Sequence, residues 1–172
     1  MSLGKKSQKT NAMRLLDKLG ISYELRSYDY DESDLSGLKA ASAIAEDPVK
    51  VFKTLLCINQ KQEAFVFVIP VAQELDLKLA AQAAGQKSLQ LAPQKDLLRF
   101  SGYLRGGCSP LAMKKLYPSF LDQSALEHDY IVVSAGKRGL QLIVSPLDLM
   151  SAVPLKDARL CRGIKKGSAY ES

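Results

Sequence analysis

The sequence predicts an α+β domain: one mixed, mostly antiparallel sheet with helices around it. Three observations carry that prediction. Two strand-length apolar runs, residues 51–58 and 63–70, face each other across the polar turn 59–62. A second pair, 130–134 and 140–145, is joined by the glycine-containing turn Ala135-Gly-Lys-Arg-Gly139. Segments with helical spacing and helical start signals stand between and around these pairs, opened by Thr10, Asp76 and Pro146.

The elements follow in order. Thr10 caps a first helix whose Ala12, Met13, Leu15, Leu16 and Leu19 recur at helical spacing, and Gly20 closes it. Residues 22–28 alternate, with Tyr23, Leu25 and Ser27 on one face and Glu24, Arg26 and Tyr28 on the other, which is a half-exposed strand. Residues 29–36 form an acidic loop of the kind that flanks clefts. An Ala-rich helix spans 38–45, and Asp47-Pro48 opens another short turn. Residues 51–58 read as a central strand buried on both faces, with 63–70 as its antiparallel neighbour. Asp76 opens a helix to Ala84, stopped by Gly85; a short strand at 88–92 and a short helix at 93–100 follow. After a Lys-rich turn at 112–116 come strands at 119–122, 130–134 and 140–145, a helix at 146–152 and an edge strand at 155–161.

At 172 residues the chain is long enough for one domain with a substantial core, expected at 8–160 with flexible ends at 1–7 and 161–172. No apolar run reaches the roughly 18 residues of a membrane helix, and the first residues lack the apolar stretch of a signal peptide. A cytoplasmic protein without membrane attachment is expected. Cys57, Cys108 and Cys161 show no Cys-x-x-Cys spacing, and the single His128 has no metal-type neighbour, so neither a metal nor another cofactor is expected. The net charge of +6 points towards a polyanionic partner, nucleic acid first.

Three stretches carry candidate chemistry. Lys53 shares a strand face with Val51, Leu55 and Cys57. Two readings stay open for it: a lysine snorkelling to solvent from the strand's end, or one aimed into a cleft to meet a carbonyl or phosphate at low dielectric. Thr54 points to the opposite face of a regular strand. In Gly102-Tyr-Leu-Arg-Gly-Gly-Cys-Ser-Pro110, Gly106 and Gly107 make either a tight turn that needs glycine or a set of exposed N–H groups for an anion. Cys108 and Ser109 add a thiol and a hydroxyl, but neither has an evident base. Ser134, Gly136, Lys137 and Arg138 form either a solvated hairpin turn or a phosphate clamp on the same cleft. Tyr28 is either a stacking surface for ribose or base or a half-buried strand aromatic. The chain thus offers a place to hold an ester or phosphate without a nucleophile of its own.

Taken together, Thr10-Asn-Ala-Met13, Val51-Phe-Lys-Thr-Leu-Leu56, the 102–110 stretch, Ala125-Leu-Glu127 and Val133-Ser-Ala-Gly-Lys-Arg-Gly-Leu-Gln141 resemble the YbaK/EbsC family over residues 8 to 160. These are the cysteinyl-tRNA(Pro) deacylases, relatives of the editing domain inserted in bacterial prolyl-tRNA synthetases. The resemblance implies a YbaK-like barrel and a trans-editing enzyme that hydrolyses cysteine from proline tRNA. It implies catalytic roles for Lys53, Gly106 and Gly107, and a pocket lined by Tyr28, Thr54, Ser109, Ser134 and Gly136. Arg105, Lys114, Lys115, Lys137 and Arg138 become candidate tRNA contacts, with prolyl-tRNA synthetase as a partner that supplies tRNA selectivity. The family mechanism has the substrate's own thiol attack its ester carbonyl to give a cyclic thiolactone, which fits the missing nucleophile and leaves Cys108 a bystander. Alternatives are deacylation of another mischarged tRNA such as alanyl-tRNA(Pro), or a non-catalytic module for aminoacyl-tRNA or a synthetase. Where the family often carries an aromatic before the second helix, this chain reads Asp34-Leu-Ser-Gly-Leu38.

Overall fold

The computed structural model describes residues 9–162 as two sheets joined at one edge, with five α-helices around them. The first sheet is antiparallel and runs β1 (Glu24–Ser27), β7 (Leu140–Val144), β6 (Ile131–Lys137). The second runs β4 (Gln90–Leu91), β2 (Phe52–Ile58), β3 (Ala64–Pro70), β5 (Ser119–Asp122), β8 (Leu155–Ala158). Strand β2 pairs antiparallel with β3 without a break, from Phe52 opposite Pro70 to Ile58 opposite Ala64. Strands β5 and β8 add in parallel to β3, which makes the sheet mixed. Parallel neighbours need long crossovers, and the segment between β3 and β5 supplies one. A parallel bridge from Val51 to Val132 joins the sheets.

Strand alternation then sorts side chains into an inner and an outer face. Phe52, Leu56 and Ile58 of β2 turn inwards to meet Val66, Val68, Leu121, Ile131, Val133, Leu142 and Val144. Helix α1 (Asn11–Lys18) closes this core with Ala12, Met13 and Leu16; Thr10 starts it by accepting the Met13 N–H at 3.2 Å. Helix α5 (Pro146–Ala152) adds Leu149. The outer face carries two apolar patches. Helix α3 (Leu77–Ala84) covers Cys57, Phe65, Phe67 and Ile69 with Ala80 and Ala81. Helix α2 (Gly37–Ala43) places Ala41 on Val51, Val71, Val132 and Ile143. Each buried aliphatic or aromatic side chain contributes about 1.5–3 kcal/mol, so these three clusters hold the strands in register.

A short helix α4 (Leu97–Ser101) ends at Gly102 with φ +84°. Cys161 and Arg162, expected in a flexible end, are held in place. Leu160 N–H donates to Asp122 Oδ1 at 2.9 Å, Cys161 is buried in the α3-covered patch, and Arg162 pairs with Asp76. The remaining residues of the expected flexible ends, 1–7 and 163–172, lie outside the described residues. Among the described residues no helix is long and apolar enough to cross a membrane.

Candidate active site

Lys53 sits on the outer face of β2, between the patch under α2, which contains Val51, and the patch under α3, which contains Cys57. Because Val51 bridges Val132 in parallel, Lys53 and Ser134 each stand two residues beyond that bridge on adjoining strands. Ser134 is the cross-strand partner of Gln141, and Gln141 that of Arg26. Lys53, Ser134, Gln141 and Arg26 therefore form one row across the outer face, with Tyr28 on the face of Arg26 at the next turn of alternation.

Thr54 does not join the row. The β2–β3 register is regular, so Thr54 faces the inner core, where its Oγ1 is buried without a hydrogen-bond partner. Gln141 was not singled out by the sequence reading. It is only 6% exposed, and its Oε1 is the other buried side-chain acceptor without a partner among the described residues. A signal existed: Gln141 is the lone polar residue in the strand Leu140–Val144, as Lys53 is the lone charge in β2.

The two glycine loops meet. Gly107 is packed so closely on the β6–β7 hairpin that a Cβ built on it stands 3.0 Å from Arg138 N and 3.1 Å from Lys137 C. Gly106, at φ +87°, lies under Leu35; a Cβ there meets Leu35 Cβ at 3.3 Å. Gly136, at φ +98°, sits at the bulge between Ser134 and Lys137, where a Cβ would stand 2.9 Å from Tyr103 Cε1. Its N–H donates to Ser134 Oγ at 3.0 Å, which leaves the Ser134 hydroxyl hydrogen to donate elsewhere. Arg138 Nε donates to Arg105 O at 2.8 Å, and its guanidinium lies 3.5 Å from Glu32 Oε1. Tyr28 N–H donates to Gly139 O at 2.9 Å, which ties β1 to the hairpin.

The N–H of Gly107 is already engaged by Leu104 O at 3.0 Å, so the loop's free donor among these two glycines is Gly106. Ser109 is fully enclosed, and its hydroxyl accepts the Leu111 N–H at 3.2 Å, a placement that shapes the loop exit. Arg105 and Lys137 are exposed beside the hairpin. Lys114 and Lys115 are elsewhere, bordering a groove with Ala64 and Phe65 at the opposite end of the β2–β3 ladder.

Electrostatics follow from burial. Desolvation holds the Lys53 ammonium below the usual lysine range, opposed by Cys161 and Glu74. Burial pushes the Cys108 thiol up to about 12, which leaves it protonated and a poor nucleophile at neutral pH. Cys161, beside Lys53, is also pushed up to about 12, by burial and by Asp122. Among the described residues no cluster of His, Cys, Asp or Glu has the makings of a metal centre. The arrangement places a positive charge and a hydroxyl in one row on the outer face, near the joined glycine loops, without supplying a nucleophile.

Comparison with known proteins identifies the family and the fold. Residues 35–152 match the aminoacyl-tRNA editing domain family. A protein of Enterococcus faecalis (strain ATCC 700802 / V583), named "Putative Cys-tRNA(Pro)/Cys-tRNA(Cys) deacylase EbsC", is 40% identical over 151 residues, which is 88% of this chain and 92% of that protein. The crystal structure of "a putative trans-editing enzyme for prolyl tRNA synthetase" superposes with a TM-score of 0.78 at 22% identity, covering 91% of this chain and all of the other. A hypothetical protein of known structure gives 0.78 at 20% identity, covering 88% of this chain and 99% of its own. Those two structural likenesses speak for the fold; the matched family and the 40% identical relative speak for descent. This chain belongs to the aminoacyl-tRNA editing domain family.

Proposed function

We propose that this protein is a trans-editing deacylase that removes cysteine from mischarged proline tRNA. The observation that carries the reading is the row of Lys53, Ser134 and Gln141 beside the joined glycine loops, in a chain 40% identical to a relative named for that deacylation. The cysteinyl thiol of the substrate attacks its own ester carbonyl: a sulfur–carbon bond forms and the carbonyl–ribose oxygen bond breaks. The ribose oxygen leaves with the proton the thiol gives up, and water later opens the thiolactone to cysteine. The protein's part is to fold the aminoacyl end into an attack geometry and to stabilise the developing oxyanion.

Lys53 supplies the positive charge, strengthened by its partly desolvated position. The Gly106 N–H is a second donor, and the Ser134 hydroxyl a third. Gln141, buried beside Ser134 on the neighbouring strand, backs the row. Tyr28 and Leu35 bound the cleft, and Arg105, Lys137 and Arg138 stand where tRNA phosphates approach. Alanine and proline esters carry no thiol and are left intact. Tyr28, Thr54 and Ser109 then divide by placement: Tyr28 on the cleft side, Thr54 and Ser109 as buried supports. A synthetase partner, prolyl-tRNA synthetase, supplies the tRNA identity that so small a domain does not read, and the protein works in the cytoplasm.

The test is deacylation of cysteinyl-, alanyl- and seryl-tRNA(Pro) by the wild type and by Lys53→Ala. Cysteine release that depends on Lys53 supports the proposal. Release of alanine in preference to cysteine assigns a water nucleophile and overturns it, and binding without release assigns a non-catalytic module.

A further inference from the structure

The open edge of β1 stands outside the site just described. Among the described residues β1 has one strand neighbour, β7, and its other edge is free. All of its residues, Glu24 to Ser27, are exposed. The bond from Tyr28 N–H to Gly139 O fixes which backbone groups face that edge. In an antiparallel ladder, alternate residues turn both N–H and C=O to the same neighbour. Tyr28, Arg26 and Glu24 turn theirs to β7, whereas Ser27 and Leu25 turn theirs away from it. The Leu25 carbonyl accepts from the exposed Arg26 Nη1 at 3.0 Å instead of from a strand. Leu25 itself is 43% exposed, a large apolar side chain opposite the buried Leu142. A free edge of this kind is a template for another strand.

The side chains select the strand. Glu24 and Arg26 share the outer face two residues apart and pair with each other at 3.1 Å. Along the strand the order is acid, leucine, base; an antiparallel copy laid beside it runs base, leucine, acid. Edge bonding requires outward-turned residues to meet outward-turned residues, so the permitted registers move the two-fold centre by one residue at a time along the strand. Centred on Leu25, the pairing sets Leu25 against the partner's Leu25, Tyr23 against the partner's Ser27, and Glu24 against the partner's Arg26. Centred on Glu24 or on Arg26, it sets a charge directly opposite its own copy, which is destabilising. In the Leu25 register the opposite charges fall on the non-hydrogen-bonded pairs, where facing side chains are closest. The four charges then alternate in sign, and the two leucines cover each other on the inner face.

We infer that β1 pairs antiparallel with β1 of a second copy of this chain, across a two-fold axis at Leu25, and joins two three-stranded sheets into one of six strands. The row of Lys53, Ser134, Gln141 and Arg26 continues onto the partner's Glu24, so each copy supplies an acid at the end of the other's row. A strand edge and one leucine pair make a contact smaller than a standard interface, which puts the dimer in the weak, reversible class. The pairing does not depend on which ester the cleft takes.

Sedimentation velocity of the full chain, run from about 1 to about 500 μM, is expected to show a monomer–dimer equilibrium with a dissociation constant of about 10–100 μM. Glu24→Lys and Arg26→Glu each turn two attractive pairs into two repulsive ones, and each is expected to weaken self-association about tenfold or more. Mixed in equal amounts, the same two variants set every introduced charge against an opposite one, and a heterodimer of about wild-type affinity is expected. Circular dichroism and Tm check that both are folded. Hydrogen exchange reads the edge in the wild type: the Leu25 and Ser27 amides are expected to exchange freely in dilute protein and to become protected as concentration rises. A monomer at the highest concentration, a dimer that neither charge reversal weakens, or two folded variants that stay apart when mixed overturns the inference. Leu25 and Ser27 amides protected at every concentration also overturn it, and assign the edge to another segment of the same chain.

Discussion

Gly107 and Arg138 touch through backbone: a Cβ on the glycine would lie 3.0 Å from the arginine's peptide nitrogen. Two loops, separated in sequence by the 31 residues from Gly107 to Arg138, are thereby pressed together. Neither contact atom is a flexible side-chain end, so a substituent cannot be accommodated by a rotamer change.

Gly107→Ala is expected to destabilise the fold by about 1–3 kcal/mol, the usual cost of overpacking a tight contact. It is also expected to lower kcat/KM for cysteinyl-tRNA(Pro), because the hairpin that carries Ser134 moves with Arg138. Urea denaturation and steady-state deacylation measure the two effects. A variant with wild-type stability and activity would remove the clamp from the account.

Lys53→Ala is expected to lower kcat/KM by about 100-fold to 1,000-fold, the range for loss of one group that stabilises an oxyanion. The pH dependence has a definite sign. The active form is the ammonium, and burial lowers its pKa, so activity falls on the alkaline side at a lower pH than a free lysine's ~10.4. Stability runs the other way. The unfolded chain holds this proton more tightly than the folded one, so Lys53 weakens the fold below its folded pKa. That penalty is relieved as pH rises between the lowered value and the free one. Lys53→Met is therefore expected to be inactive and to melt a few degrees higher at pH 7. Activity assays and thermal melts across pH 6–10 check both halves.

Cys108→Ala is expected to keep near-wild-type deacylation. All three thiols are pushed up to about 12 by burial, so roughly one in ten thousand is thiolate at pH 8. Iodoacetamide at that pH is expected to leave the native protein unmodified and active. Loss of activity in Cys108→Ala alone would identify a protein nucleophile.

Gln141→Met is expected to leave stability unchanged or raise it by up to about 1 kcal/mol, since it removes a buried acceptor that has no donor. The same change is expected to raise KM several-fold with a smaller effect on kcat, because Gln141 is the cross-strand neighbour that positions Ser134. A measured loss of stability with unaltered KM would make Gln141 a core residue only.

The sequence made the strand faces legible. Alternation grouped Lys53 with Val51, Leu55 and Cys57 and set Thr54 opposite, and the regular β2–β3 register keeps that division. The helix starts at Thr10 and Asp76 were legible because a side-chain oxygen three residues before an amide is a local event. Gln141 was passed over although the same signal marked it, a lone polar residue in an apolar strand.

What residue types and their spacing determined was local: which segments are helix or strand, which faces are apolar, and where glycine is needed. Only the tertiary structure decided that β5 and β8 run parallel to β3, that the two glycine loops touch, that Lys53 and Ser134 share a row, and that Lys114 and Lys115 stand at the other end of the β2–β3 ladder. The physical reason is range. Capping and alternation act over a few residues of chain, whereas strand order and loop-to-loop packing are fixed by burying distant surfaces together, and no local pattern encodes which distant surface that will be.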